Sequence, residues 1–203
     1  MPIKDSREYR ALSLPLTVAQ TETAKRINSD FYAEGYATTF EDPYMLYEYD
    51  GIEVWEKVDR AALDGVDLTD VIFQYDHQGR VYARTSNRTL VLEADEKGLF
   101  IAVDLSKGGG AQSIYEDIKN GLITKMSWGF IVAEDKWEAQ GNKRIRTILK
   151  IKKIYDVSAV SIPANDNTEI SARNAAQGRL AAEQQELLEK RARILKLKII
   201  LEE

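Results

Sequence analysis

The sequence predicts a β-rich α+β fold: a barrel or sandwich of short strands, one internal helix, and a long amphipathic helix towards the C-terminal end. Three observations carry this reading. Residues 7–162 are mostly short apolar or alternating runs separated by Asn, Asp and Gly, the spacing of an all-β architecture. Within that stretch, Ala111 to Asn120 has helical spacing. After Thr168 the composition shifts abruptly to Ala, Glu, Gln, Lys, Arg and Leu.

The elements follow in order. Tyr9 to Leu16 is apolar-rich and contains Pro15 near its end, and Phe31 to Phe40 mixes aromatic, Thr and Gly residues. Ile52 to Val58 alternates with period two, as a half-buried strand does. Val71 to Tyr75 is short and bulky, and Val81 to Thr85, Leu90 to Glu93 and Leu99 to Leu105 succeed it. Gly108-Gly109-Gly110 then leads into the helix, which sets Ile114, Tyr115 and Ile118 on one face and stops at Gly121. Ile123 to Val132, Arg144 to Lys152 and Ile154 to Ile162 read as three more strands, and Pro163-Ala164-Asn165-Asp166-Asn167 ends the sheet-rich part. From Ala175 to Leu201 there is no Pro and a single Gly. Leu180, Leu187, Ile194 and Leu201 recur every seven residues, a heptad-like seam suited to docking on the barrel or on another chain.

Composition narrows the function. A chain of 203 residues with 44% hydrophobic content can bury a sizeable core as one domain with an appendage. The net charge of −5 and the scattered aromatics argue against a nucleic-acid partner. With no cysteine, disulfides and thiol chemistry are excluded. The first residues lack the apolar core of a signal peptide. No stretch reaches the roughly 18 apolar residues of a membrane helix, so the chain reads as soluble and non-secreted.

Three local patterns are candidates for chemistry. His77 is the sole histidine, in the polar break Tyr75-Asp76-His77-Gln78-Gly79, and is therefore the one side chain able to act as an unperturbed base near neutral pH. Ser127 lies in Met126-Ser127-Trp128-Gly129-Phe130, where a strand would put Met126, Trp128 and Phe130 on one face and Ser127 and Gly129 on the other. Gly129 would leave room beside Ser127 for a substrate backbone. Asp156 stands in an apolar strand, where a buried carboxylate costs several kcal/mol unless paired or hydrogen-bonded. Individually, each has an ordinary structural explanation.

Taken together and in order, they resemble the prohead (procapsid maturation) serine proteases of tailed bacteriophages, which are similar to the herpesvirus assemblin proteases. The resemblance covers roughly residues 30–170. It begins at Tyr32-Ala33-Glu34-Gly35-Tyr36-Ala37 and runs through Glu53 to Val58, the histidine segment, Arg84-Thr85, and Asp95 to Leu99. The most specific blocks are Met126-Ser127-Trp128-Gly129-Phe130 and Val157-Ser158-Ala159-Val160-Ser161-Ile162-Pro163-Ala164-Asn165. There are departures from the pattern. The family commonly has histidine followed by aspartate, whereas Asp76 precedes His77 here, and the second histidine of the herpesvirus enzymes has no counterpart.

The resemblance implies an assemblin-like closed β-barrel flanked by helices over residues 1–170, with a helical extension over 171–203. It implies a serine endopeptidase in which Ser127 is the nucleophile, His77 the general base and Asp156 the orienting acid. By analogy, the oxyanion donors lie around Ala164-Asn165. It also implies an enzyme without a cofactor, acting in the host cytoplasm inside the assembling procapsid. Its substrates are scaffold protein or the scaffold-like segment of the major capsid protein, and the chain itself. The helix is compatible with a homodimer or higher oligomer. Two other classes compete. A non-enzymatic β-barrel capsid-assembly protein could keep the fold without cleaving anything. A metal-dependent hydrolase would need a carboxylate-only site, and no spaced ligand motif is visible.

Overall fold

Two long strands, β9 (Lys125–Gln140) and β10 (Lys143–Val160), form the hairpin on which everything else is hung. Gly141-Asn142 turns the chain between the paired residues Gln140 and Lys143, with Gly141 at a left-handed φ of 61°. The computed structural model describes residues 6–18, 25–161, 182 and 185–194.

β10 is the spine of the sheet. One of its edges pairs antiparallel with β9 along its length. The other edge is shared by two parallel strands, β4 (Ile52–Val58) against residues 143–148 and β5 (Ile72–Tyr75) against residues 156–159. β6 (Gln78–Arg84) returns against β5, and β3 (Tyr44–Tyr49) lies outside β4. β1 (Glu8–Val18) joins this half of the sheet to the rest. Its Glu8 to Leu12 part pairs with β9, and its Leu16 to Val18 part pairs with β2 (Tyr32–Thr39). The change of partner coincides with a register shift between Leu12 and Pro15, and a proline, lacking an N–H, suits such a break in a ladder. β8 (Gly98–Asp104) and β7 (Leu90–Ala94) complete the order β3-β4-β10-β9-β1-β2-β8-β7, with β5 and β6 branching from β10.

The β-rich expectation holds, but the closed barrel does not. Closure would need a ladder between the β6 branch and β7. Among the described residues these strands are joined through a turn, in which Thr89 N–H donates to Arg84 O at 3.2 Å. The sheet therefore curls around its core and stays open. The core holds Phe73, Leu99, Ile101, Trp128 and Phe130, with α1 (Ala111–Lys119) packing Ile114, Tyr115 and Ile118 into it, the face its spacing predicts. The expected long C-terminal helix is present as a short described segment, residues 185–194. There Leu187, Leu188 and Ile194 are exposed. Leu180, Leu201, the 170/171 boundary and the Pro163 to Asn167 segment lie outside the described residues.

Candidate active site

His77 is delivered by the β5–β6 hairpin. Tyr75 pairs with Gln78, leaving Asp76 and His77 as a two-residue turn with φ of 47° and 58°. Positive φ at both central residues is the geometry that follows the twist of a hairpin, and a histidine there is uncommon. Other contacts hold the turn in place. Asp76 N–H donates to Ala159 O at 3.0 Å, and the Asp76 carboxylate accepts from Ser161 N–H at 3.2 Å and Ser161 Oγ at 3.1 Å. Asp76, which precedes the histidine, is thus the anchor that ties the turn to the end of β10.

Asp156 and Ser127 come from the central hairpin. Across the β9–β10 ladder Ser127 pairs with Ser158, and Gly129 pairs with Asp156. Residues two apart on a strand share a face, so these four lie together on one side of the sheet. The imidazole bridges them. His77 Nδ1 is hydrogen-bonded to Asp156 Oδ2, and His77 Nε2 is 2.5 Å from Ser127 Oγ. A carboxylate can only accept, so Nδ1 carries the proton and Nε2 is left as the acceptor of the Ser127 O–H. All three side chains are buried or nearly so, with Asp156 and Ser127 each 2% exposed.

The role expected of Gly129 changes. A Cβ there would collide with Asp156 Oδ1 and come within 2.8 Å of Tyr9 Cε1. The space beside Ser127 is filled by the acid and by an aromatic ring, and is not left for substrate. Tyr9 is the neighbour that sequence reasoning missed. Its ring centroid is 4.5 Å from that of His77, tilted by 58°. Arg7 Nη1 donates to the Tyr9 hydroxyl at 3.3 Å, and the Arg7 guanidinium lies over the Tyr155 ring. The signal was present in β1: Tyr9 stands between Glu8 and Arg10, two charged residues that face the other way.

Glu8 and Arg10 enter a buried ion network with Glu56 of β4 and Arg146 of β10. Arg10 Nε donates to Glu56 Oε1 at 2.6 Å and Arg10 Nη2 to Glu8 Oε2 at 2.6 Å. Arg146 Nη1 donates to Glu8 Oε2 at 2.6 Å, and Arg146 Nε donates to Asp135 at 2.6 Å. Burial alone would raise the Glu8 carboxyl, but the Arg10 and Arg146 guanidiniums outweigh it and hold it at about 2. Burial likewise opposes the ionised Glu56, and the same two cations keep it below the ordinary carboxylate range. The network pins β1 to β4, β9 and β10, and so fixes where Tyr9 meets His77.

Among the described residues no group of three or more His, Cys, Asp or Glu is arranged to hold a metal ion, and no helix is long and apolar enough to cross a membrane. The Ala164-Asn165 segment, expected to serve an oxyanion, lies outside the described residues.

A serine whose hydroxyl faces an imidazole, itself held by a buried carboxylate, is the constellation of the serine hydrolases. Residues 18–181 match the family described as caudovirus prohead serine protease, and the chain belongs to that family. The prohead protease of Escherichia phage T5 is 26% identical over 108 residues, covering 53% of this chain and 47% of that protein. The match thus spans about half the length of this curated relative. No solved structure matches the chain.

Proposed function

We propose that this chain is a serine endopeptidase of procapsid maturation. It cleaves scaffold protein or a scaffold-like segment of the major capsid protein, and then itself, inside the assembling particle. Family membership supports the setting, and the single observation that carries the chemistry is the imidazole of His77 reaching Ser127 through one nitrogen and Asp156 through the other.

In this reading Ser127 Oγ attacks the scissile carbonyl carbon while His77 Nε2 takes the hydroxyl proton. Asp156 stabilises the imidazolium that forms. The tetrahedral intermediate collapses, the C–N bond breaks, and the proton passes from Nε2 to the leaving amine. Water, deprotonated by the same nitrogen, then hydrolyses the acyl-enzyme and restores Ser127. Residues 1–170 form the protease unit and 171–203 a helical extension.

The test is a fluorophosphonate probe on the full chain, with the adduct located by mass spectrometry. Labelling at Ser127 that disappears in His77→Ala is the expected result. A chain that never labels would be the assembly protein and not the enzyme. Intact mass after incubation at high concentration tests self-cleavage. Loss of a C-terminal piece near residues 165–180, absent in Ser127→Ala, is expected.

A further inference from the structure

The carboxylate oxygen that receives the imidazole has a second donor. Ser158 Oγ donates to Asp156 Oδ2 at 3.0 Å, the oxygen that also accepts from His77 Nδ1. Ser158 is fully buried at 0% exposure and stands directly across the ladder from Ser127. A hydroxyl in the core normally costs stability unless it is hydrogen-bonded, and this one spends its proton on the acid of the site. Being two residues from Asp156 on the same strand, it is carried rigidly with it.

We propose that Ser158 is a positioning residue for the relay: its hydroxyl fixes the Asp156 carboxylate so that Oδ2 meets Nδ1 of His77, and it moderates the pull of that oxygen on the imidazole proton. This rests on the catalytic reading of Ser127, His77 and Asp156. The groups set around the carboxylate are few. His77 comes from the β5–β6 turn and Tyr9 from β1, while β9 contributes Ser127 and Gly129, which carry no charge. Asp76, the nearest other acid in the turn, is engaged by Ser161.

Removing the hydroxyl has two consequences. The carboxylate loses a restraint, and the rate falls. Its Oδ2, relieved of the Ser158 donor, also becomes a stronger acceptor for the Nδ1–H of His77. The experiment is the second-order rate of fluorophosphonate labelling at Ser127 as a function of pH, measured on the full chain. Ser158→Ala is expected to label about 10-fold more slowly, the effect of one hydrogen bond to a charged group, with the acidic limb of the profile moved to higher pH. An acidic limb unmoved from wild type overturns the proposal. If Ser158→Ala does not fold, judged by its thermal transition, Ser158→Cys carries the test, because it nearly matches the volume while donating weakly. It must move the limb in the same direction, and an unmoved limb in that variant is equally fatal. A wild-type chain that never labels at Ser127 overturns the enzymatic reading as well, whereas labelling with an unshifted Ser158→Ala profile overturns the positioning role alone.

Discussion

Gly129 and Asp156 share one volume: the space that a side chain at 129 would fill is occupied by Asp156 Oδ1. The two face each other across the β9–β10 ladder, so neither can retreat without breaking strand pairing. Gly129→Ala should therefore displace the carboxylate while leaving the fold intact. A displacement near 1 Å at a reacting site typically costs about 10²-fold in rate. Labelling of Ser127 should slow by at least that factor with little change in melting temperature, and wild-type labelling would show that the acid needs no such clearance.

Asp156→Asn tests the tautomer. An amide turned to offer its N–H to Nδ1 would leave Nε2 protonated and unable to accept from Ser127. A loss of about 10⁴-fold is expected, the scale found when the acid of such a triad becomes an amide. Ser127→Ala and His77→Ala should each cost on the order of 10⁶ in kcat. Turnover of an uncleaved segment of the proposed capsid-protein substrate would rank the three.

Tyr9 meets the imidazole through its ring, and its hydroxyl is directed to Arg7. Tyr9→Phe should keep most of the activity. Tyr9→Ala removes the surface against which His77 rests and should lower kcat about 5-fold, in keeping with the roughly 1 kcal/mol that paired rings contribute. Equal losses in the two variants would transfer the role to the Arg7 contact.

Acid should unfold this protein through the buried network. The Glu8 carboxyl sits at about 2 in the folded chain against an ordinary 4.5. Its contribution is therefore complete above about pH 4.5 and is lost as pH falls towards 2. It amounts to about 3 kcal/mol at most, since each tenfold change in proton affinity corresponds to about 1.4 kcal/mol. Denaturant melts at a series of pH values should show stability declining across that interval. Glu56→Gln, which leaves Arg10 and Arg146 short of one buried counter-charge, should cost about 3–5 kcal/mol at neutral pH. A melt unchanged in that variant would show the network to be energetically idle.

Much of this architecture was legible because the physics was local. Period-two alternation marked β4, and the stop at Gly121 with its helical face marked α1. The single histidine beside a turn, the serine among alternating large residues and the lone strand carboxylate marked the candidate site. What escaped depended on pairing. β3 went unread because it is an edge strand with exposed Met45 and Tyr49 and a register shift between Met45 and Tyr47, which spoils alternation. The outer half of β9 was missed because it is mostly polar and exposed, and its inward face carries only Asp135, bound to Arg146, and Trp137, packed beside Tyr47 and Val54. Barrel closure cannot be judged from strand spacing, since it depends on whether two distant edges meet. The crowding at Gly129 was invisible for the same reason: a glycine advertises empty space, and only the fold says who takes it.

β10 is the last of the named strands in chain order, yet β4 and β5 both need it as a neighbour, and Asp156 rides on it. During synthesis His77 and Ser127 emerge before Asp156 does. Parallel pairings between such distant segments form slowly, because the intervening loops must close first. On the proposed reading, a nascent chain carries Ser127 and His77 but no assembled relay until about its 160th residue, the end of β10, has left the ribosome, an interval in which the polypeptide exists before its site does.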